Sequence, residues 1–224
     1  MSLIKSNTAG LGGSGSPGGA LGSFYSHTID QSVRLDNSSG AHLVNAAASP
    51  TATNRKKVTI SCWVKRAVLG AGTYTIFHGG TNGLMMQLSP TGADEIYLYE
   101  TPWQIYKDAL LIRDPSAWYH FVLILDTTQS TDSDRAKLYI NGQLEDFSTW
   151  QVGSGANRYP ALNYEFNWHT GTTQRIGSTG RTDDLAGYIA EFISIDGQDT
   201  SISDFGETKD GVWIPKNVSG LTLG

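Results

Sequence analysis

The residues of this chain with the most obvious potential for chemistry are the carboxylates in Asp94-Glu95-Ile96-Tyr97-Leu98-Tyr99-Glu100. Glycoside hydrolysis by the retaining route needs two carboxyl groups about 5 Å apart across the scissile bond. On a strand, that requires acids at alternate positions, because successive side chains point to opposite faces. The face that carries Glu95 continues with Tyr97 and Tyr99, whereas Glu100 points the other way with Ile96 and Leu98. Glu191 is expected to share its strand face with Ile189 and Ile193 and has no acidic neighbour there. The pairing fails at both places, so the expectation is a non-catalytic chain.

Other catalytic chemistries have thinner support. The five histidines, His27, His42, His78, His120 and His169, do not pair at metal-ligand spacing. His120 lies inside an apolar run and reads as a hydrogen-bonded residue of a sheet. No Gly-x-Ser-x-Gly elbow or phosphate-binding loop occurs. The single cysteine, Cys62, lies mid-strand and reads as an inert buried thiol.

Aromatic residues offer a surface for binding instead. Trp150, Tyr159, Tyr164, Phe166 and Trp168 fall in one long segment broken by Gly153, Gly155 and Pro160. Trp103 and Tyr106 read as part of a second aromatic loop. Long loops in compact domains are often functional. Three roles fit the rings: stacking on sugar faces, packing into a protein interface, or capping the open end of a sandwich.

The elements that must position these residues are strands. Val58, Ile60, Cys62 and Val64 alternate with Thr59, Ser61 and Trp63. Further strands are expected over 84–88, 95–99 and 109–113. The run from Trp118 to Leu125 is apolar on both faces, as in a central strand. The 136–140 strand leads into Asn141-Gly142, a hairpin turn whose two central residues need positive φ. The segment 185–196 is the last long strand, and 200–207 looks briefly helical, with a serine and an aspartate as caps. No stretch keeps a 3.6-residue period. The expected fold is all-β: a two-sheet antiparallel sandwich over residues 24–224, preceded by a glycine-rich arm over 1–23.

Seven of the 26 glycines fall between Gly10 and Gly22. This stretch, which includes Gly12, Gly13, Pro17, Gly18 and Gly19, carries no charge and no aromatic ring. It cannot bury enough apolar surface to offset its own backbone entropy. It reads as an assembly arm that orders against neighbouring subunits, ahead of a free linker. The net charge of −5 argues against nucleic acid as a partner. No apolar run approaches the ~20 residues needed to insert in a membrane as a helix, and Met1 to Asn7 lacks a secretory apolar core.

Several phrases together resemble the concanavalin A-like lectin/glucanase superfamily, especially its laminin-G and pentraxin-like branch. They are VTISCWVKR at 58–66, AWYHFVLILDTT at 117–128, AKLYINGQL at 136–144, QRIGS at 174–178 and LAGYIAEFISIDG at 185–197. Asn54-Arg55-Lys56, the 113–120 and 203–207 segments and Gly211 to Lys216 narrow the resemblance to such domains in tailed-phage virion proteins. The resemblance implies a jelly-roll fold and a location in the virion. The acidic E-x-D-x-E type strand of the family's glycosidases is absent. Laminin-G and pentraxin-like relatives often bind calcium at the sandwich rim. Asp183, Asp184, Asp132 and Asp134 are the loop acids available, but adjacent turn aspartates fit a turn-forming role better, and no cofactor is expected.

The resulting expectation is a non-enzymatic phage structural subunit. It would be a capsid-surface decoration or head-fibre protein anchored through its arm to other virion proteins, and a homo-oligomer, with a trimer as the guess. The alternative is a tail-associated, receptor-binding module that recognises host-surface glycans.

Overall fold

The computed structural model describes residues 24–45, 54–70, 72–88, 95–107 and 112–223. The assembly-arm residues Gly12, Gly13, Pro17, Gly18 and Gly19 lie outside the described residues, as does most of the strand expected at 109–113. The described residues form fifteen strands: β1 (Val33–Leu35), β2 (Leu43–Asn45), β3 (Lys57–Arg66), β4 (Tyr74–His78), β5 (Met85–Leu88), β6 (Ile96–Glu100), β7 (Trp103–Lys107), β8 (Tyr119–Asp126), β9 (Ala136–Ile140), β10 (Gln143–Leu144), β11 (Gln151–Val152), β12 (Gln174–Ile176), β13 (Gly187–Asp196), β14 (Gly206–Lys209) and β15 (Val212–Pro215). Three short 3-10 turns complete the regular structure, with no α-helix among the described residues.

Two antiparallel sheets face each other. One has the order β1-β13-β3-β8-β9-β10 and the other β11-β7-β6-β5-β4-β12-β2, with β14-β15 as a separate hairpin. The alternation of β3 works as expected. Val58, Ile60, Cys62 and Val64 enter the core between the sheets beside Phe121, Leu123 and Leu125 of β8, opposite Ile76, Met86, Leu88, Ile96, Leu98 and Ile105 of the second sheet. Burying each large apolar side chain contributes roughly 1.5–3 kcal/mol. This core therefore dominates the stability.

The outer face of the six-stranded sheet is covered. Val122 and Ile195 pack with Phe205, and Ile202, Val218 and Leu221 close over them. The 3-10 turn Ile202–Asp204 at this point has a full capping box between Ser201 and Asp204, the serine–aspartate cap expected from the sequence. Further along, Trp63 stacks on His120 at 4.3 Å. The Trp213 indole N–H donates to His120 Nδ1 at 2.9 Å. With Nδ1 accepting, the proton sits on Nε2, which donates to Ser61 Oγ at 2.9 Å. Burial pushes the His120 pKa down to about 3, so the ring is a neutral structural bridge. Glycines make this layer fit: a Cβ on Gly206 would lie 2.3 Å from the Trp213 ring.

The Asn141-Gly142 turn has φ of 49° and 78°, as its hairpin requires. Beyond the 200–207 segment, which is helical only as the 3-10 turn Ile202–Asp204 before β14 begins at Gly206, two expectations change. Trp103 and Tyr106 belong to a strand, β7, that pairs along its whole length with β6. The second change is in β13, where a bulge between Ala190 and Ile193 shifts the alternation. Ile189 therefore enters the main core, while Ile193 joins the outer cluster. Glu191, at φ 44°, leaves the sheet pattern, and its carboxylate meets His27 Nε2 at 2.8 Å.

Candidate functional site

Most of the aromatic residues singled out from the sequence are consumed by the fold. Trp103, Trp150 and Trp168 are 1–2% exposed and Phe166 is fully buried. Trp103 Nε1 donates to the Arg158 carbonyl at 2.8 Å, and Trp168 Nε1 donates to Ser194 Oγ at 2.7 Å. Trp150 packs edge-on against Phe147, with the Lys107 ammonium 6.0 Å above it. These indoles offer no face to a sugar or a protein. The correction has a simple cause: an open sandwich end exposes core strands, and large rings close it at the greatest gain per residue. Tyr159 and Tyr164 remain half-buried in the same cap.

The cap is tied down by charge. Arg55 donates from Nε to the Phe166 carbonyl at 2.9 Å and from its terminal nitrogen to Asn167 Oδ1 at 2.9 Å. Glu100, fully buried, accepts from the Asn167 amide at 2.6 Å and from the Tyr164 hydroxyl at 3.1 Å. Burial raises the Glu100 carboxyl to about 7, opposed by those hydrogen bonds and by Arg55. Glu100 thus anchors a loop from within, on the core side predicted beside Ile96 and Leu98.

The outer face of the seven-stranded sheet is different. The register aligns Tyr106, Tyr97 and Gln87 in one row, and Gln87 pairs with Thr75. A second row runs Gln104, Tyr99, Met85, His78 and Arg175. Tyr97 and Tyr99 lie with ring centroids 6.0 Å apart and planes within 10°, and Tyr106 lies 6.5 Å from Tyr97. All three tyrosines are half-buried, with Gln104, Met85, His78 and Arg175 in the same state. Apolar ring area and amide groups thus stand side by side, with the 179–183 turn closing over Gln87 and Thr75.

At one end this face deepens into a cleft of about 670 Å³. Its floor is His78, Met85, Gln87, Tyr99 and Arg175, and its rim comes from 80–82, 172–173 and 179–183. The rim is held by its own polar groups. Thr172 Oγ1 donates to the Gly79 carbonyl at 2.9 Å. The Asp183 carboxylate accepts from Thr179 Oγ1 at 2.6 Å and from Gln87 Nε2 at 3.1 Å. Gln87 also donates to Thr75 Oγ1 at 2.9 Å, which orients its amide. Burial lowers the His78 pKa, helped by the positive charge of Arg175, so the ring is neutral at pH 7.

Among the described residues, no three His, Cys, Asp or Glu side chains gather as a metal would need. Asp132 and Asp134 lie in a separate 3-10 turn, away from Asp183.

A family model described as concanavalin A-like lectin/glucanases superfamily matches residues 36–193. The chain belongs to that superfamily. The expected fold class is thereby established together with the two-sheet architecture. No curated protein matches the sequence. Among solved structures, the enzymatically active domain of bacteriophage CBA120 tailspike protein 2 is similar at 14% identity and a TM-score of 0.53, over 79% of this chain and 26% of that one. The full-length tailspike protein 2, from an Escherichia coli O157:H7 bacteriophage, is similar at 16% identity and the same TM-score of 0.53, over 79% and 24%. The heptameric SAP-like pentraxin of Limulus polyphemus is similar at 16% identity and a TM-score of 0.44, over 71% of each chain. The chain thus spans about a quarter of either tailspike, at identities that speak to the fold alone.

Of the aromatic residues expected from the sequence to bind a partner, Tyr106 alone lies on the open sheet face. Tyr97, Tyr99, Gln87, His78 and Arg175 were not singled out from the sequence as binding residues. The alternation of Tyr97 and Tyr99 was the available signal.

Proposed function

We propose that this chain is a non-catalytic carbohydrate-binding module whose ligand lies across the outer face of the seven-stranded sheet and into its cleft. The observation that carries the reading is the contrast between the two sheets. One outer face is sealed by the C-terminal segment, while the other presents Tyr97, Tyr99 and Tyr106 beside Gln87 and Gln104. Flat rings next to fixed amides suit a saccharide, whose faces are apolar and whose edges are hydroxyls. Glu100, a buried carboxyl raised to about 7, is spent inside the fold, which favours binding over hydrolysis.

The setting we propose is a virion, with the module associated with the tail and contacting the host surface. The recurrent phrases at 54–56, 113–120, 203–207 and 211–216 support it, as does the fold shared with the tailspike domain. Capsid-surface decoration or a head fibre, with residues 1–23 as the attachment arm and a trimeric assembly, is the second reading. It rests on the glycine-rich composition of that arm.

The test is a broad glycan array probed with the full chain and with Tyr99→Ala and Tyr97→Ala. Binding by the parent chain, reduced at least tenfold in either variant with thermal unfolding little changed, supports the reading. Absence of any glycan signal, or a signal that both variants retain in full, rejects it.

A further inference from the structure

The cleft carries charge that the fold does not use. Arg175 projects from the middle of β12, where it pairs with His78 on one side and Val44 on the other. Its Nε is buried without a hydrogen-bond acceptor. Neither Arg175 nor Arg181, which also lines the cleft, has an ion-pair partner among the described residues. The cleft's one acid, Asp183, is already engaged by Thr179 and Gln87. Two guanidinium groups against one committed carboxylate leave a local positive excess in a chain whose net charge is −5.

The fold also holds Arg175 in place. Gly180 has φ +87°, and a Cβ there would stand 2.8 Å from Arg175 Nε and 2.9 Å from its Cζ. The guanidinium therefore lies against the bare backbone of the 179–181 turn, where only glycine leaves room. On the other side, His78 Nδ1 is likewise buried without a partner. A planar guanidinium is suited to a planar carboxylate, which its two terminal nitrogens can meet through parallel hydrogen bonds while the turn covers Nε. A hydroxyl would satisfy one donor and leave the charge uncompensated. Tyr99 and Met85 share the cleft floor with Arg175. A ring bound over the tyrosine can therefore direct a substituent toward the arginine.

We propose that the ligand is an acidic saccharide, with a carboxylate on its ring or side chain seated on Arg175 in the cleft over β12, β4 and β5, and Arg181 adding longer-range attraction. This inference rests on the carbohydrate-binding reading above and specifies its ligand class.

The experiment uses the full chain and a panel of oligosaccharides containing uronic and sialic acids, measured by isothermal titration calorimetry. The same panel is then measured after methyl esterification, which removes the charge and keeps the ring. The inference expects the tightest acidic member to lose at least tenfold in affinity on esterification. It also expects Arg175→Gln to bind the acid and its ester alike, and Tyr99→Ala to weaken both by a similar factor. Gly180→Ala, which displaces the guanidinium and keeps its charge, should narrow the preference as well. Equal affinity of the parent chain for acids and esters, or binding of neutral glycans only, overturns the acidic assignment and leaves the carbohydrate reading standing. Binding to no saccharide, acidic or neutral, overturns both. The comparison of acid with ester on the parent chain does not depend on any variant folding, so instability of Arg175→Gln does not shield the inference.

Discussion

Replacing Glu100 by Gln should change how stability depends on pH, by an amount the structure sets. The Glu100 carboxyl is fully buried, and burial lifts it from an ordinary 4.5 to about 7. Below pH 4.5 it is protonated in both folded and unfolded chains and contributes no pH dependence. Between pH 4.5 and 7 the unfolded chain ionises first, so stability falls as pH rises, and above 7 the loss is complete. At 1.36 kcal/mol per pH unit, the loss amounts to roughly 3 kcal/mol.

The raw profile does not isolate this effect, because His120 acts with the opposite sign. Its folded pKa of about 3, against 6.5 unfolded, removes stability as pH falls through the same range. His78 and His169, both lowered chiefly by burial, act in the same direction as His120. The difference between parent and Glu100→Gln cancels the histidines. Glutamine keeps the carbonyl oxygen that Asn167 and Tyr164 address, and it cannot ionise. Urea unfolding at pH steps from 4.5 to 8 should show the variant gaining about 3 kcal/mol relative to the parent across that range. A difference that stays constant within about 0.5 kcal/mol would refute the assignment of Glu100 as a buried, raised carboxyl.

Three further outcomes are expected. Trp168→Ala should cost about 3–5 kcal/mol in denaturant unfolding, since the ring is buried and its N–H is paired to Ser194; a loss below 1 kcal/mol would contradict the cap. Gly187→Ala should abolish soluble folded protein or lower Tm steeply, because its Cβ would lie 2.2 Å from the Lys65 carbonyl oxygen on the neighbouring strand; circular dichroism of the purified variant decides it. Cys62, whose thiol burial raises to about 12, should resist a thiol reagent at pH 8 in the native chain and react fully in denaturant; rapid native labelling would place it elsewhere.

The elements read correctly from the sequence are those whose pattern is local and strong. The alternation of Val58 to Val64, the two-sided apolar run of β8 and the Asn141-Gly142 turn each carry their own geometry. The serine–aspartate cap near residue 201 does so too. Strand β7 reads as a loop in the sequence because it has only five residues, includes Gln104 and Lys107, and follows Thr101-Pro102 directly. The β13 bulge is invisible to alternation because it breaks the rule being applied, and it turned Glu191 out of its expected face.

The aromatic segment 150–169 looked like a binding surface because composition does not say which way a ring points. Arg55 and Glu100, distant in sequence, pull it inward together with the neighbouring Phe147. The open face was partly legible, since Tyr97 and Tyr99 alternate in plain view. The cleft was not: its floor and rim come from β4, β5, β6, β12 and three turns, assembled only by strand order.

The proposed docking of a saccharide on the outer face of the seven-stranded sheet can be mapped residue by residue. The most direct measurement is the map of backbone amide shifts in the 15N-labelled full chain on titration with its tightest oligosaccharide. Perturbations are expected at 75–87, 97–106 and 175–183, with the 150–169 cap and the layer around Trp213 unmoved. Shifts confined to that cap or that layer, or none with any oligosaccharide, would contradict it.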